Sequence, residues 1–231
     1  MADLYLIPCS LAEEADHVIP AYVMEAVRRC TILFVENERT ARRFLKRMDK
    51  QIEIDAFEWY PIGKQEHMLK TQFDRAVETN QTMGILSEAG CPGIADPGQQ
   101  LVAWAQSAGC VVKPLVGPSS LLLALMASGM NGQAFSFHGY LPVDHEARNR
   151  KIRELESGSR RTQSTCIFIE TPYRNQPLFE SIIQQCADTT RLCIAMDITG
   201  KEEWIKTKPI QAWKTQKPDW KKIPAIFLLQ A

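Results

Sequence analysis

The stretch that most constrains this chain is Gly84-Ile85-Leu86-Ser87-Glu88-Ala89-Gly90-Cys91-Pro92-Gly93-Ile94-Ala95-Asp96-Pro97-Gly98. Met83 to Leu86 is a short apolar run that reads as a buried strand. Small residues follow, and Gln99-Gln100-Leu101-Val102-Ala103-Trp104-Ala105 then opens a helix. Asp96 stands where an N-cap is expected, Pro97 at the first helical position and Gln99 as the capping-box partner. Gly90 and Gly93 let the backbone turn sharply and let a ligand approach the main chain. A strand end, a small-residue loop and a capped helix form the usual ligand crevice of an α/β sheet. Taken alone, the stretch describes a tight βα connection without a ligand equally well.

The flanking sequence supplies a context. Strands are expected at Asp3 to Ile7, Thr31 to Val35, Ile52 to Phe57 and Cys110 to Leu115. Helical periodicity covers Pro20 to Val27, Ala41 to Met48, Met68 to Glu78 and Gln99 to about Ala108. This alternation implies a mostly parallel, doubly wound sheet over residues 1–116. Gly117-Pro118-Ser119-Ser120 interrupts it. Leu121 to Met126 is apolar on every side, as a helix buried between layers would be, with Gly129 ending it near Ser128. Residues 117–231 then read as a second α/β domain with a mixed sheet. Its strands are expected at Ala134 to Gly139, Ser164 to Ile169, Arg191 to Asp197 and Ala225 to Leu229. A helix is expected over Leu178 to Cys186, a charged loop over Asp144 to Arg153, and a lysine-rich section with Trp204, Trp213 and Trp220 before the last strand.

Composition narrows the function classes. Lys and Arg total 27, as do Asp and Glu, so no global field draws in a polyanion. No apolar run approaches the roughly 20 residues of a membrane span, and the N-terminus lacks the pattern of a secretion signal. The seven cysteines include no CxxC pair and read as reduced core residues of a cytoplasmic protein. The four histidines show no helical pairing, so no metal is expected.

Several motifs in this order resemble the tetrapyrrole methylase superfamily, the two-domain S-adenosylmethionine-dependent methyltransferases. Within it the pattern is most similar to the small-subunit ribosomal RNA 2′-O-methyltransferase branch, which methylates cytidine ribose. The resemblance rests on Glu36-Asn37-Glu38-Arg39, on Ser87 to Gly98, on Gly117-Pro118-Ser119-Ser120 and on Phe135-x-Phe137-x-Gly139-Tyr140-Leu141-Pro142. Glu170-Thr171-Pro172-Tyr173-Arg174 and Asp197-Ile198-Thr199 complete it, so it spans nearly the whole chain. Three departures stand out. Pro8-Cys9-Ser10-Leu11 replaces a glycine-containing turn, Gly200 occupies the place of a usual lysine with Lys201 one position on, and longer members continue past the last strand.

The resemblance implies S-adenosylmethionine in a cleft between the two lobes. Pro8, Ser87, Glu88, Ala89, Gly90, Ile94, Ala95, Ser119, Ser120, Glu170, Thr171, Pro224 and Ala225 would hold it. Glu36, Arg39, Arg43, Tyr173 and Arg174 would meet the substrate. A ribose hydroxyl has a high pKa and needs a base; Glu36, Asp96 and Lys201 are the candidates. Each residue also has a plainer reading: Ser119 or Ser120 as a helix cap, Asp96 as a cap, Pro224 and Ala225 as a strand start, Glu36 and Arg39 as a local ion pair.

Basic residues cluster at Arg39, Arg42, Arg43, Lys46 and Arg47, at Arg148, Arg150, Lys151 and Arg153 with Arg160-Arg161, and along Lys201 to Lys222. Each could follow an RNA backbone or simply be a solvated face. The expected partners are ribosomal RNA or the small ribosomal subunit, and a second copy of the chain, since the family pairs as homodimers. Carbon methylation of a tetrapyrrole, or cofactor binding without turnover, are the competing readings.

Overall fold

The computed structural model describes residues 1–63, 66–220 and 222–231. The chain divides into two compact units, Met1–Ser119 and Ser120–Ala231.

In the first unit the strands are β1 (Asp3–Ile7), β2 (Ile32–Val35), β3 (Glu58–Pro61), β4 (Met83–Leu86) and β5 (Val111–Pro114). They form one parallel sheet in the order β3-β2-β4-β1-β5. Helices α1 (Tyr22–Val27) and α2 (Glu38–Met48) close one face through Val23, Val27, Phe44 and Leu45. Helices α3 (Glu66–Glu78) and α4 (Gln99–Ser107) close the other through Leu69, Phe73, Leu101 and Ala105. Because both faces are covered, the inner strands β2 and β4 are apolar and buried throughout rather than alternating. The crossover connections leave the C-terminal ends of β2, β4, β1 and β5 side by side, where such sheets bind ligands.

The second unit contains α5 (Ser120–Ser128), β6 (Phe135–Tyr140), α6 (His145–Thr162), β7 (Thr165–Glu170) and α7 (Asn175–Gln185). It continues with β8 (Arg191–Met196), β9 (Trp204–Pro209), α8 (Ile210–Thr215) and β10 (Ala225–Gln230). The sheet order is β6-β7-β10-β8-β9, with β6 and β7 parallel and the remaining pairs antiparallel. Ile152, Leu155, Phe179, Ile182 and Trp213 from the helices pack on Phe168, Ile194 and Phe227 from the strands. Among the described residues no helix is long and apolar enough to cross a membrane.

Four expectations need correction. Ile52 to Phe57 is not a strand: it forms a 3-10 turn at Ile54–Ala56, and the edge strand is Glu58–Pro61. Ile52 and Ile54 are apolar because they pack under α2, whereas Glu58 and Pro61 disguise a half-buried edge. Asp144 to Arg153 is not a loop. Asp144 Oδ1 caps α6 by accepting from Ala147 N at 2.8 Å, and Arg148, Ile152, Leu155 and Ser159 form its inward stripe. Helix α5 is apolar all round yet not buried all round, since Leu122 and Met126 are exposed. The lysine-rich section contains β9 and α8; Lys206 points outward from β9, an edge strand on which lysines discourage further pairing. Lys221 of that section lies outside the described residues.

Candidate functional site

In the first unit three loops converge at the strand ends. Cys9 and Gly90 exchange backbone hydrogen bonds, Cys9 N to Gly90 O at 2.8 Å and Gly90 N to Cys9 O at 3.0 Å. This bridge locks the turn after β1 onto the loop after β4. Gly90 has φ +77°, and a Cβ there would lie 3.2 Å from Leu11 Cδ2 and 3.5 Å from the Pro118 carbonyl. Cys91 Sγ donates to that same carbonyl at 3.4 Å. A Cβ on Gly117 would fall 2.0 Å from Pro8 Cβ, so glycine is required where the third loop crosses the first. Burial pushes the Cys9 thiol up to about 12, which makes it packing rather than a nucleophile.

Asp96 does not cap α4. The helix begins at Gln99 with Gly98 at its N-cap, so the Asp96, Pro97 and Gln99 assignments all fall two positions early. Asp96 Oδ1 instead accepts from both Gly93 N and Gly98 N at 2.8 Å and closes the loop upon itself. Its Oδ2 is buried without a hydrogen-bond partner, and burial raises its pKa against the lowering effect of the two N–H groups. Between these anchors Gly93 has φ +83° with nothing within 4 Å of a would-be Cβ, and Ala95 has φ +61°. Ile94 is exposed. The loop therefore presents bare backbone and small side chains on a fixed frame.

Glu36, at the end of β2, accepts from Glu88 N at 2.9 Å. Burial raises its pKa, the Glu88 N–H opposes this, and the Asp96 and Glu88 charges add to the rise. Glu36 and Arg39 form no ion pair among the described residues. Of the basic residues on α2, Arg42 pairs with Glu38 and Asp55 and Lys46 donates to the Ile52 carbonyl. Arg47 grips Asp16, and Arg39 and Arg43 are left exposed. Ser119 is half-buried after β5; Ser120 opens α5 in the second unit.

In the second unit the remaining residues meet at one sheet end. Ala225 is in register with Glu170 on one side and with Met196 on the other. That brings Glu170-Thr171, Asp197 to Lys201 and Pro224-Ala225 together. Glu170 is buried, its Oε1 accepts from Thr171 N at 2.7 Å, and its Oε2 lies 2.8 Å from Arg174 Nη2. Arg174 also donates to the Leu141 carbonyl at 2.8 Å, so its guanidinium is engaged locally. Tyr173 beside it is 88% exposed. In the turn after β8, Asp197 O accepts from Gly200 N at 2.8 Å and its Oδ2 from Glu202 N at 2.9 Å. A Cβ on Gly200 would lie 2.2 Å from the Asp197 carboxylate, which explains why no lysine stands there; Lys201 follows on the exposed side. Arg148 is buried against Ser181 Oγ and the Val143 carbonyl, both at 3.0 Å, and is a structural residue rather than part of a basic surface.

Sequence reasoning missed Asn175. It is fully buried at the start of α7, its Nδ2 donates to the Ile223 carbonyl at 2.9 Å, and its Oδ1 has no partner. It ties α7 to the residue before Pro224; an asparagine directly after Arg174 at a helix start was the available signal. The Cys9–Gly90 bridge and the Ser10–Asp16–Arg47 network, being long-range, had no local signature.

No family model matches the chain. Curated proteins named ribosomal RNA small subunit methyltransferase I do. The Vibrio cholerae protein is 28% identical over 229 residues, 98% of this chain and 76% of its own length. That of Escherichia coli O157:H7 is 24% identical over 230 residues, 98% and 77%. That of Micromonospora olivasterospora is 32% identical over 200 residues, 87% and 60%. Among solved structures, diphthine synthase aligns with TM-score 0.67 at 13% identity, over 100% of this chain and 90% of that one. The methyltransferase CobJ aligns at 0.62 and 14% over 99% and 93%. Uroporphyrin-III C-methyl transferase from Thermus thermophilus, complexed with S-adenyl homocysteine, gives 0.56 and 14% over 99% and 97%. Along nearly its whole length the chain is thus similar to small-subunit ribosomal RNA methyltransferases, and it shares the fold of these solved methyltransferases.

Proposed function

We propose that this protein transfers a methyl group from S-adenosylmethionine to a ribose 2′-hydroxyl of small-subunit ribosomal RNA. The observation that carries the reading is the loop Ser87 to Ala95, whose backbone is held open at the ends of parallel strands by Asp96 and by the Cys9–Gly90 bridge. The named function of the Vibrio and Escherichia relatives supports it.

The residues present suit this donor. The loop carries no basic side chain that would repel a sulfonium, and the space beside Gly93 is unfilled. We assign Pro8, Ser87, Glu88, Ala89, Gly90, Ile94, Ala95 and Ser119 of the first unit to holding it. When bound, the donor supplies an electrophilic methyl on a positively charged sulfur. The chain must then hold the nucleophilic oxygen in line and accept its proton. Glu36 is the group we assign to the proton, because burial raises its pKa above the ordinary carboxylate value and only Oε1 is used by Glu88 N. Asp96 is spent on closing the loop, and Lys201 lies on an exposed turn of the other unit. Arg39 and Arg43 would face RNA phosphates, and the exposed Tyr173 ring would stack a base, with Arg174 holding Glu170 in place.

The same reading makes the protein cytoplasmic and homodimeric. Leu122 and Met126 of α5 and Phe135 and Phe137 of β6 give the second unit exposed apolar residues that a second copy would cover.

The purified chain, labelled S-adenosylmethionine and small ribosomal subunits test the proposal, with a uroporphyrinogen as a parallel acceptor. Label in one 2′-O-methyl nucleoside after RNA digestion is the expected result. Label in the tetrapyrrole alone, or in neither acceptor, contradicts it.

A further inference from the structure

A cavity of about 200 Å³ opens in the first unit between the turn after β1, helix α2 and the start of the loop after β4. Its apolar wall is Leu11, Ala12, Ala41 and Phe44; its polar wall includes Glu13 and Glu88. The volume is below the ~300–1,000 Å³ of pockets that hold drug-sized ligands, far too small for a macrocycle and suited to one flat ring.

The hydroxyl protons on its wall are already used. Ser10 Oγ donates to Asp16 Oδ1, Thr40 Oγ1 to the Asn37 carbonyl at 3.0 Å, and Ser87 Oγ to the Ala89 and Gly90 carbonyls at 3.3 Å. Arg47 turns Nε and Nη2 to Asp16, at 2.8 and 3.1 Å, and neutralises its charge there. Beside the Arg47 guanidinium, the residues lining the space are rich in acceptors: the carboxylates of Glu13 and Glu88 and the hydroxyl oxygens of Ser10, Thr40 and Ser87. Such a wall repels phosphate. It also disfavours the amino-acid end of the methyl donor, which carries a carboxylate on the same carbon as its ammonium. It favours an uncharged ring bearing N–H donors, which an acidic side chain reads by accepting from an exocyclic amine.

We propose that this cavity is the subsite for the base of the acceptor nucleotide, with Glu13 receiving an exocyclic amino group and Phe44 forming part of the apolar wall against the ring. The inference rests on the RNA methyltransferase reading and adds to it the residues that choose the base. Unpaired bases splayed from a loop are the usual targets of sequence-specific RNA readers. The Ser10–Asp16–Arg47 network keeps the turn after β1 in position, which is the task of the residues that here replace a glycine-containing turn.

Two variants of the full chain test it, Glu13→Gln and the cavity-filling Ala12→Phe. Each is assayed for S-adenosylmethionine affinity by calorimetry and for methyl transfer to small ribosomal subunits, with the product nucleoside identified by mass spectrometry. The expected product of the wild-type protein is a 2′-O-methyl nucleoside with an amino-bearing base. Both variants should keep donor affinity within twofold and lose at least tenfold in kcat/KM for the subunit. A wild-type product of 2′-O-methyluridine, unchanged transfer in both variants, or loss of donor affinity in Ala12→Phe overturns the subsite and leaves the methyltransferase reading standing. No transfer to RNA by the wild-type protein takes both down.

Discussion

The two strand-end clusters solve a similar task with different materials. In the first unit the frame is backbone: reciprocal Cys9–Gly90 hydrogen bonds, two N–H groups on Asp96 Oδ1, and glycines where loops cross. In the second the frame is side chain: buried Glu170 against Arg174, and Asn175 holding the Ile223 carbonyl. A backbone frame leaves small surfaces that a ligand can approach closely. A side-chain frame fixes a wall, and its removal leaves a buried charge without a partner.

The largest expected effect sharpens this contrast in the second unit. Arg174→Ala should cost about 3 kcal/mol, the lower end for breaking a buried pair, since Arg174 keeps some solvent contact; chemical denaturation reads it directly. If the loss is under about 1 kcal/mol, the side-chain frame is not what holds that end together. Next comes Gly90→Val in the first unit, with about 2 kcal/mol lost to the left-handed backbone and the Leu11 contact. Donor affinity should fall at least tenfold alongside; unchanged affinity would break the backbone-frame side of the comparison.

A third test uses pH. Burial raises the folded-state pKa of Asp96, so the folded chain holds that proton more tightly than the unfolded one. The stability tied to this group is present at low pH and lost as pH rises through the raised value. Asp96→Asn keeps the Oδ1 acceptor and removes the titration. The variant should therefore gain on the wild type as pH goes from about 4 to about 7, and a difference independent of pH contradicts the assignment. The smallest effect on folding is Arg43→Glu, within about 0.5 kcal/mol as for an exposed position. RNA association should nevertheless weaken, more at low salt than at high. Equal weakening at both would remove Arg43 from the electrostatic surface.

The first unit was far more legible in the sequence than the second. Buried parallel strands are continuous apolar runs, and glycine and proline mark the loop between β4 and α4, so the strand, the loop and the helix could all be named. The error at Asp96 arose because an aspartate before a proline fits an N-cap and a loop closure equally well. In the second unit, helix α6 hid behind six charged residues in its first eleven positions, though its buried stripe at Arg148, Ile152, Leu155 and Ser159 keeps helical spacing. Strand β9 hid behind lysines that an exposed edge favours. The long-range ties, Glu36 to Glu88 and Arg47 to Asp16, depend on which strands become neighbours, and no local pattern encodes that order.

The central claim is that the methyl donor rests on the exposed backbone between Ser87 and Ala95. A crystal grown with S-adenosylhomocysteine measures this most directly. The account predicts density against Glu88, Ala89 and Gly90, with the cavity beside Phe44 left open for the base. Density filling that cavity, or lying away from the loop altogether, would contradict it.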